Sequence, residues 1–280
     1  MRNFTFKGLF LTAVFMLLGC FSIQAADDDL ITKQITINLD KAGTLPNKIA
    51  SSEMYKITNL KIIGEINGTD WNMIREMAGR DNRGYGTEGK LSVLDLSEAK
   101  IVKGGDSYYS GDNCYTSNDE IGEYAFKDCS RLTSLTLPVG ITSIGYDAFA
   151  YCSGLTSLTL PAGITSIGEF AFSYCSGLTS IYVYAEKVPR IGRYAFEGCA
   201  SRKCTLYVPK GTYDNYRLSE FGYFENIVEF DATGIDKTTT STDVEEVSRY
   251  SLNGQRLAVP VKGLNIVKYS DGSARKVVVK

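Results

Sequence analysis

Four cysteines, Cys129, Cys152, Cys175 and Cys199, follow one another at spacings of 23, 23 and 24 residues. Thiols can ligate metals, exchange disulfides or attack electrophiles, so their regular spacing raises the question of chemistry first. Metal ligation lacks support, because the chain has none of the close Cys-x-x-Cys pairs that seed a tetrahedral site. A disulfide framework lacks it too. If the spacing puts one cysteine on each of several stacked rungs ~4.8 Å apart, their side chains run parallel. Their Cβ atoms then stay about 5 Å apart, beyond the usual bridge span of roughly 3.5–4.5 Å. The expectation is a ladder of buried thiols packed as small apolar groups. Cys199 with Cys204 is the better candidate for a bridge, in an oxidising compartment. Cys114 sits apart from these in a polar stretch.

The chain has no histidine. That removes the Ser-His-Asp triad, the Cys-His pair and the His-Glu-x-x-His zinc site in one step. Carboxylates are scattered over turn positions, with no pair that marks an enclosed acid–base site. The expectation is a non-catalytic protein with no cofactor and no metal. Charge points the same way about partners. Residues 26–247 carry 21 basic and 31 acidic residues, a net of −10, whereas 248–280 carry seven basic and one acidic, a net of +6. An acidic body repels phosphate, so nucleic acid is not an expected partner.

What positions the cysteines is a repeat. Ile121–Ser143 and Ile144–Ser166 agree at 17 of 23 positions, and further copies begin at Ile167 and Ile191. A fixed period of this length marks a solenoid whose units bury their apolar faces only against neighbours. Within each unit an L-x-x-L-x-L pattern recurs at Leu132/Leu135/Leu137, Leu155/Leu158/Leu160 and Leu178/Ile181/Val183. Its last two apolar positions alternate with polar ones, as in a strand with one buried face. Pro138, Pro161 and Pro209 should end the strands, and Gly140 and Gly163 should permit the turns that follow. Phe126, Phe149, Phe172 and Phe196 should stack as an internal column. Upstream, Ile57/Leu60/Ile62 and Leu91/Leu94/Leu96 show the same spacing. Between them Thr69–Ala78 reads as a helix with Trp71, Ile74 and Met77 on one face, capped by Thr69 or Asp70 and stopped at Gly79.

The recurring I-G-x-x-A-F-x-x-C-x-x-L-x-x-I/L-x-L-P resembles the motif of the BspA-like leucine-rich repeats of anaerobic Gram-negative bacterial surface proteins, over roughly residues 121–208. The fourth unit departs from it, with Lys203 and Cys204 where apolar residues are expected. The tail LYVPKGTYDNYRLSEFGYFENIVEF resembles the family's C-terminal cap. The resemblance implies an α/β fold leaning to β: a leucine-rich repeat solenoid with one parallel sheet of about six strands, caps at both ends and a small C-terminal β-hairpin module. It also implies adhesion to host or neighbouring-cell macromolecules.

The chain divides accordingly. Residues 1–25 read as a signal peptide, with Arg2 and Lys7 before an apolar core too short to span a bilayer. Cleavage after Ala25 is favoured, with Leu17-Leu18-Gly19-Cys20 as an alternative lipidation site at Cys20. Either route exports the protein, to be secreted or held at the outer membrane or cell surface. Residues 26–102 form an N-terminal cap with degenerate repeats, 103–119 a polar insertion loop, and 120–230 the regular repeats with the C-terminal cap. Residues 231–247 are a Thr-rich linker. Residues 248–280 are a small basic β module with turns at Asn253-Gly254 and Asp271-Gly272. It resembles C-terminal modules of exported proteins, some of which are sorting signals, and the alternative is a stability or spacing module.

Two candidate binding patches remain. On the outward side of the strands, Ser157, Thr159 and Ser180 lead to Tyr182, Tyr184 and Tyr207, which offer large contact areas and few rotors to freeze. In the insertion, Tyr108, Tyr109 and Tyr115 can stack on a sugar or a partner side chain. Asp106, Asp112 and Asp119 there match no calcium-loop spacing. The expected partner is an extracellular protein or glycan, with a membrane contacted only through a lipid anchor or sorting machinery. Competing readings are a carbohydrate-binding accessory protein and a structural spacer of an envelope assembly.

Overall fold

The computed structural model describes residues 29–111, 114–232, 246–251, 256–257, 263–269 and 274–279. Residues 1–25, read above as a signal peptide, with Cys20, and also Asp112, most of residues 231–247 and both turn dipeptides of the C-terminal module lie outside them. Eight parallel strands form the main sheet in chain order: Ile35–Leu39, Asn59–Ile66, Val93–Ile101, Ser134–Thr136, Ser157–Leu160, Ser180–Val183, Thr205–Pro209 and Asn226–Phe230, with a register shift between Lys61 and Ile63 where the second strand meets the third. The sheet has two strands more than expected. They are the outermost ones, Ile35–Leu39 and Asn226–Phe230, where the repeat consensus has faded. A second parallel sheet joins the Ile-Gly positions, through Glu120–Ile121, Ser143–Ile144, Ser166–Ile167 and Arg190–Ile191. Both sheets step by one repeat, pairing Ser157 with Ser180 and Ile144 with Ile167.

The space between the sheets is filled by the phenylalanine column. Phe126, Phe149, Phe172 and Phe196 stack with centroids 5.3, 5.0 and 5.4 Å apart and planes within 16°. Rung spacing therefore equals ring-stacking distance, and each ring fills the void above the next. The ends are plugged. Trp71 packs 5.2 Å from Phe126, and Phe221 and Phe224 close on Phe196 at 5.5 and 5.2 Å.

The cysteine ladder lies beside this column, buried as expected. It also does something packing alone does not require. Cys152, Cys175 and Cys199 each donate an S–H to the phenylalanine carbonyl of the preceding rung, at 3.1, 3.1 and 3.2 Å. Cys199 and Cys204 carry unbridged thiols, and the Cys199 sulfur is turned towards the Phe172 carbonyl. Threonines stitch the outer edge in the same way. Thr156 and Thr179 each donate a hydroxyl 3.1 Å to the threonine carbonyl one rung back.

The glycines that the fold demands are those of the Ile-Gly pairs. A Cβ on Gly145 would lie 2.6 Å from the Glu123 nitrogen, and one on Gly168 2.5 Å from the Gly145 carbonyl carbon. The rungs touch backbone to backbone there, and nothing larger fits. Gly140 and Gly163, expected to be required by turns, have ordinary backbone angles, and a Cβ there would make only ordinary contacts, 3.8 Å from Asp119 Oδ1 and 3.5 Å from the Ile141 carbonyl oxygen.

The N-terminal cap substitutes for a missing rung. Between regular units, the N–H groups of Phe126, Phe149 and Phe172 donate to Ala148, Ala171 and Ala195 of the next unit at 2.6–2.7 Å. Ala125 comes first and has no such donor behind it. Its carbonyl instead accepts from Trp71 Nε1 at 3.0 Å and Arg75 Nη1 at 2.9 Å. The Glu123 carbonyl accepts the Tyr108 hydroxyl at 3.1 Å, where later rungs use a backbone N–H. Trp71 and Arg75 sit on the helix Gly68–Met77. Its cap is Asn67, in place of the expected Thr69 or Asp70. Asp70 answers as the third residue of a capping box and also binds the Gly43 and Leu45 N–H groups at 2.6 and 2.8 Å.

The insertion is an ordered hairpin, Gly104–Tyr109 with Cys114–Thr116, and packs on this helix. The C-terminal module is an antiparallel sheet of Glu246–Ser251, Arg256–Leu257, Gly263–Tyr269 and Ala274–Val279.

Truncating Phe149 to Ala should cost about 3–5 kcal/mol of unfolding free energy, because rigid rings above and below cannot close the hole. Equilibrium urea unfolding reads this, and a loss under about 1 kcal/mol would show that the column is not packed as described. The thiols give a second test. Burial pushes Cys129 and Cys204 up to about 11 and Cys199 to about 12, and raises Cys152 and Cys175 well above the ordinary value. A raised thiol pKa stabilises the fold fully below the unfolded value of 9.0 and is lost as pH climbs through about 11. These five thiols should resist alkylation in the native chain at neutral pH and react once it unfolds. Rapid native labelling of any of them would contradict their burial.

Candidate functional site

Parallel register puts equivalent residues face to face, and this builds the outward side of the sheet. Ser180 Oγ donates to Ser157 Oγ at 3.0 Å. One step along the strand, Tyr182 is flanked by Thr159 and Tyr207. The Tyr182 and Tyr207 rings stack at 4.3 Å with planes within 5°. Phe230, from the last strand, stands edge-on to Tyr182 at 5.9 Å and to Tyr184 at 5.1 Å. The three expected tyrosines are therefore one cluster, completed by a residue the sequence reading did not single out. Phe230 follows the last recognisable repeat, so no period pointed to it. All four rings are half-buried. Burial, with Tyr207 adjacent, pushes the Tyr182 hydroxyl up to about 12, so it stays a neutral donor at physiological pH.

The opposite end of the same face is charged. Lys61 reaches Asp95 at 3.2 Å and Glu98 at 2.7 Å across the strand pair. Between the two ends runs a cleft of ≈ 950 Å³, floored by Lys61, Asp95, Thr136, Thr159 and Tyr184 and closed by Ile266 and Lys276 of the C-terminal module. The Lys276 ammonium sits 4.2 Å over the Tyr184 ring.

The insertion tyrosines separate into three roles. Tyr108 is buried against Trp71 and serves the cap, so it offers nothing to a ligand. Tyr109 stacks on Tyr124 at 4.7 Å, and its ring also takes the Arg75 guanidinium at 5.4 Å. Tyr115 alone of the three is exposed. Asp106 is taken up by the Thr69 hydroxyl at 2.8 Å. Among the described residues no group of three or more Cys, Asp or Glu is placed to hold a metal ion. No described helix is long and apolar enough to cross a membrane.

A second aromatic row went unread. Tyr151 and Tyr174, each immediately before a ladder cysteine, stack at 5.0 Å with planes within 3° and stand about half exposed. Both have left-handed backbone angles, φ 62° and 57°. That region favours glycine, and Gly198 occupies it in the fourth unit. Asp128, at φ 63°, holds the same place in the first unit, so the Asp-Tyr-Tyr-Gly series at one repeat position was the available signal.

Residues 113–219 match the family described as BspA type Leucine rich repeat region, in six copies. A crystal structure of a leucine-rich repeat protein from Bacteroides ovatus ATCC 8483 is similar at 22% identity and a TM-score of 0.34, over 71% of this chain and 42% of that one. The chain thus spans less than half the length of that protein. No curated protein matches the chain. Residues 113–219 are a BspA-type leucine-rich repeat region.

Proposed function

We propose that this chain is an exported, non-catalytic binding protein that holds an extracellular protein or glycan on the outward face of its main sheet. The observation that carries the reading is the Tyr182/Tyr184/Tyr207/Phe230 cluster on a face otherwise lined by hydroxyls. The fold accounts for the inward residues of these strands but makes no demand for four aromatic rings outside. Half-buried aromatic groups with hydroxyl handles are the residues that supply most of the binding energy in protein interfaces. The rings are held in place by one another, so little side-chain entropy remains to be lost on binding. The absence of histidine and the engagement of the buried thiols with backbone carbonyls support a role without catalysis. Adhesion at a cell surface is the biological form this binding takes, consistent with the export segment read from residues 1–25.

The test is a binding array of glycans and extracellular-matrix proteins, probed with residues 26–247 and with the Tyr182/Tyr184/Tyr207→Ala triple variant. Loss of three of the four rings should weaken binding at least tenfold, as expected for truncating interface anchors worth ~2 kcal/mol or more. Undiminished binding by the triple variant would move the site off this face. Silence across the array would overturn the binding reading.

A further inference from the structure

We propose that the basic C-terminal module is a tethered occupant of the sheet face, so that module and external partner compete for one surface. This rests on the face being the binding surface, but the docking itself can be read without any partner. Three observations converge. Lys276 caps the Tyr184 ring at 4.2 Å, within the range of a cation–π contact. Ile266 and Lys276 close a cleft whose other lining residues all belong to the solenoid, from its strands and the turns beside them. The charges are complementary: residues 248–280 carry a net of +6 and residues 26–247 a net of −10. In the cleft itself Asp95 and Glu98 share the single cation Lys61, which leaves one negative charge in excess on the solenoid side.

The contact is made by one face of the module, where Ile266 and Lys276 sit opposite each other on paired strands. Ala274–Val279 is the outermost strand of its sheet, paired on one side only with Gly263–Tyr269. Lys276 therefore reaches Tyr184 without disturbing the module's own pairing. Residues 233–245 connect the two parts, and a segment of that length spans at most roughly 45 Å when extended. The covalent connection keeps the module at a high effective concentration over the face. An incoming partner must displace Lys276 from Tyr184, and a surface rich in negative charge elsewhere can draw the module away. The small cation–π and charge terms suit an exchangeable cover, since each contact is modest and screened by salt.

The experiment uses the full chain with a protease site inserted between Thr239 and Thr240. The purified protein is folded first, then cut, and passed over a sizing column. Docking predicts that the two pieces co-elute at low ionic strength and separate at high salt. Lys276→Glu should separate them at low salt, whereas Lys276→Arg, which keeps the cation over the ring, should leave them together. Separation of the unmutated pieces at low salt would overturn the proposal. So would co-elution that persists in Lys276→Glu. Neither result depends on whether the array finds a ligand, so failure of the docking and failure of the binding reading are distinguishable.

Discussion

Everything in this molecule depends on rungs that stack in register, one repeat apart, at the distance at which aromatic rings stack. Phe126, Phe149, Phe172 and Phe196 are the clearest expression of that constraint. Once they sit one above another, the Ile-Gly backbones are pressed together and only glycine fits. The cysteine thiols face carbonyls of the preceding rung, and the threonine hydroxyls reach back by the same step. Each of these is a small interaction, but all are made or lost together, because a slip of one rung removes every partner at once.

The same constraint divides the residues into those that answer to the fold and those released from it. The ends must be closed by something that imitates a rung. At the N-terminal end this is done by side chains: Trp71, Arg75 and Tyr108 deliver hydrogen bonds that a backbone would otherwise supply. A fully buried arginine is costly unless its donors are used; here Nη1 donates to the Tyr124 and Ala125 carbonyls and Nη2 to that of Asp81, while Nε is left without a hydrogen-bond partner. The outward strand positions carry no such duty. Parallel register turns any choice made there into a row, so two tyrosines on successive strands become a stacked pair. This is how a repeat protein builds a contact surface without altering its core.

The interior was legible from the sequence because periodicity reports it directly. The phenylalanine column, the apolar strand positions and the buried cysteines all follow from a spacing of 23. The caps were less legible, since they succeed by departing from the repeat. Nothing in the sequence around Tyr108 distinguishes a cap donor from a surface tyrosine, and the polar composition of residues 103–119 suggested a loop where a hairpin packs on the helix. The site was legible in part. Tyr182 and Tyr207 could be placed as neighbours by register, but Phe230 belongs to a strand with no consensus, and its place beside them is a long-range fact. Tyr151 and Tyr174 were not legible, because they take a left-handed backbone that favours glycine and tyrosine gives no local sign of it.

The most direct measurement is deletion of one whole unit, Ile144–Ser166, which joins Ser143 to Ile167 and keeps both caps. If each rung depends only on its neighbours and on being in step, the shortened chain should fold and unfold cooperatively in urea. Its m-value should be smaller in proportion to the lost surface. Removing Ile144–Gly163 instead takes out 20 residues, breaks the step and should abolish folding. A shortened chain that fails to fold after the 23-residue deletion, or folds equally well after the 20-residue one, would contradict the account.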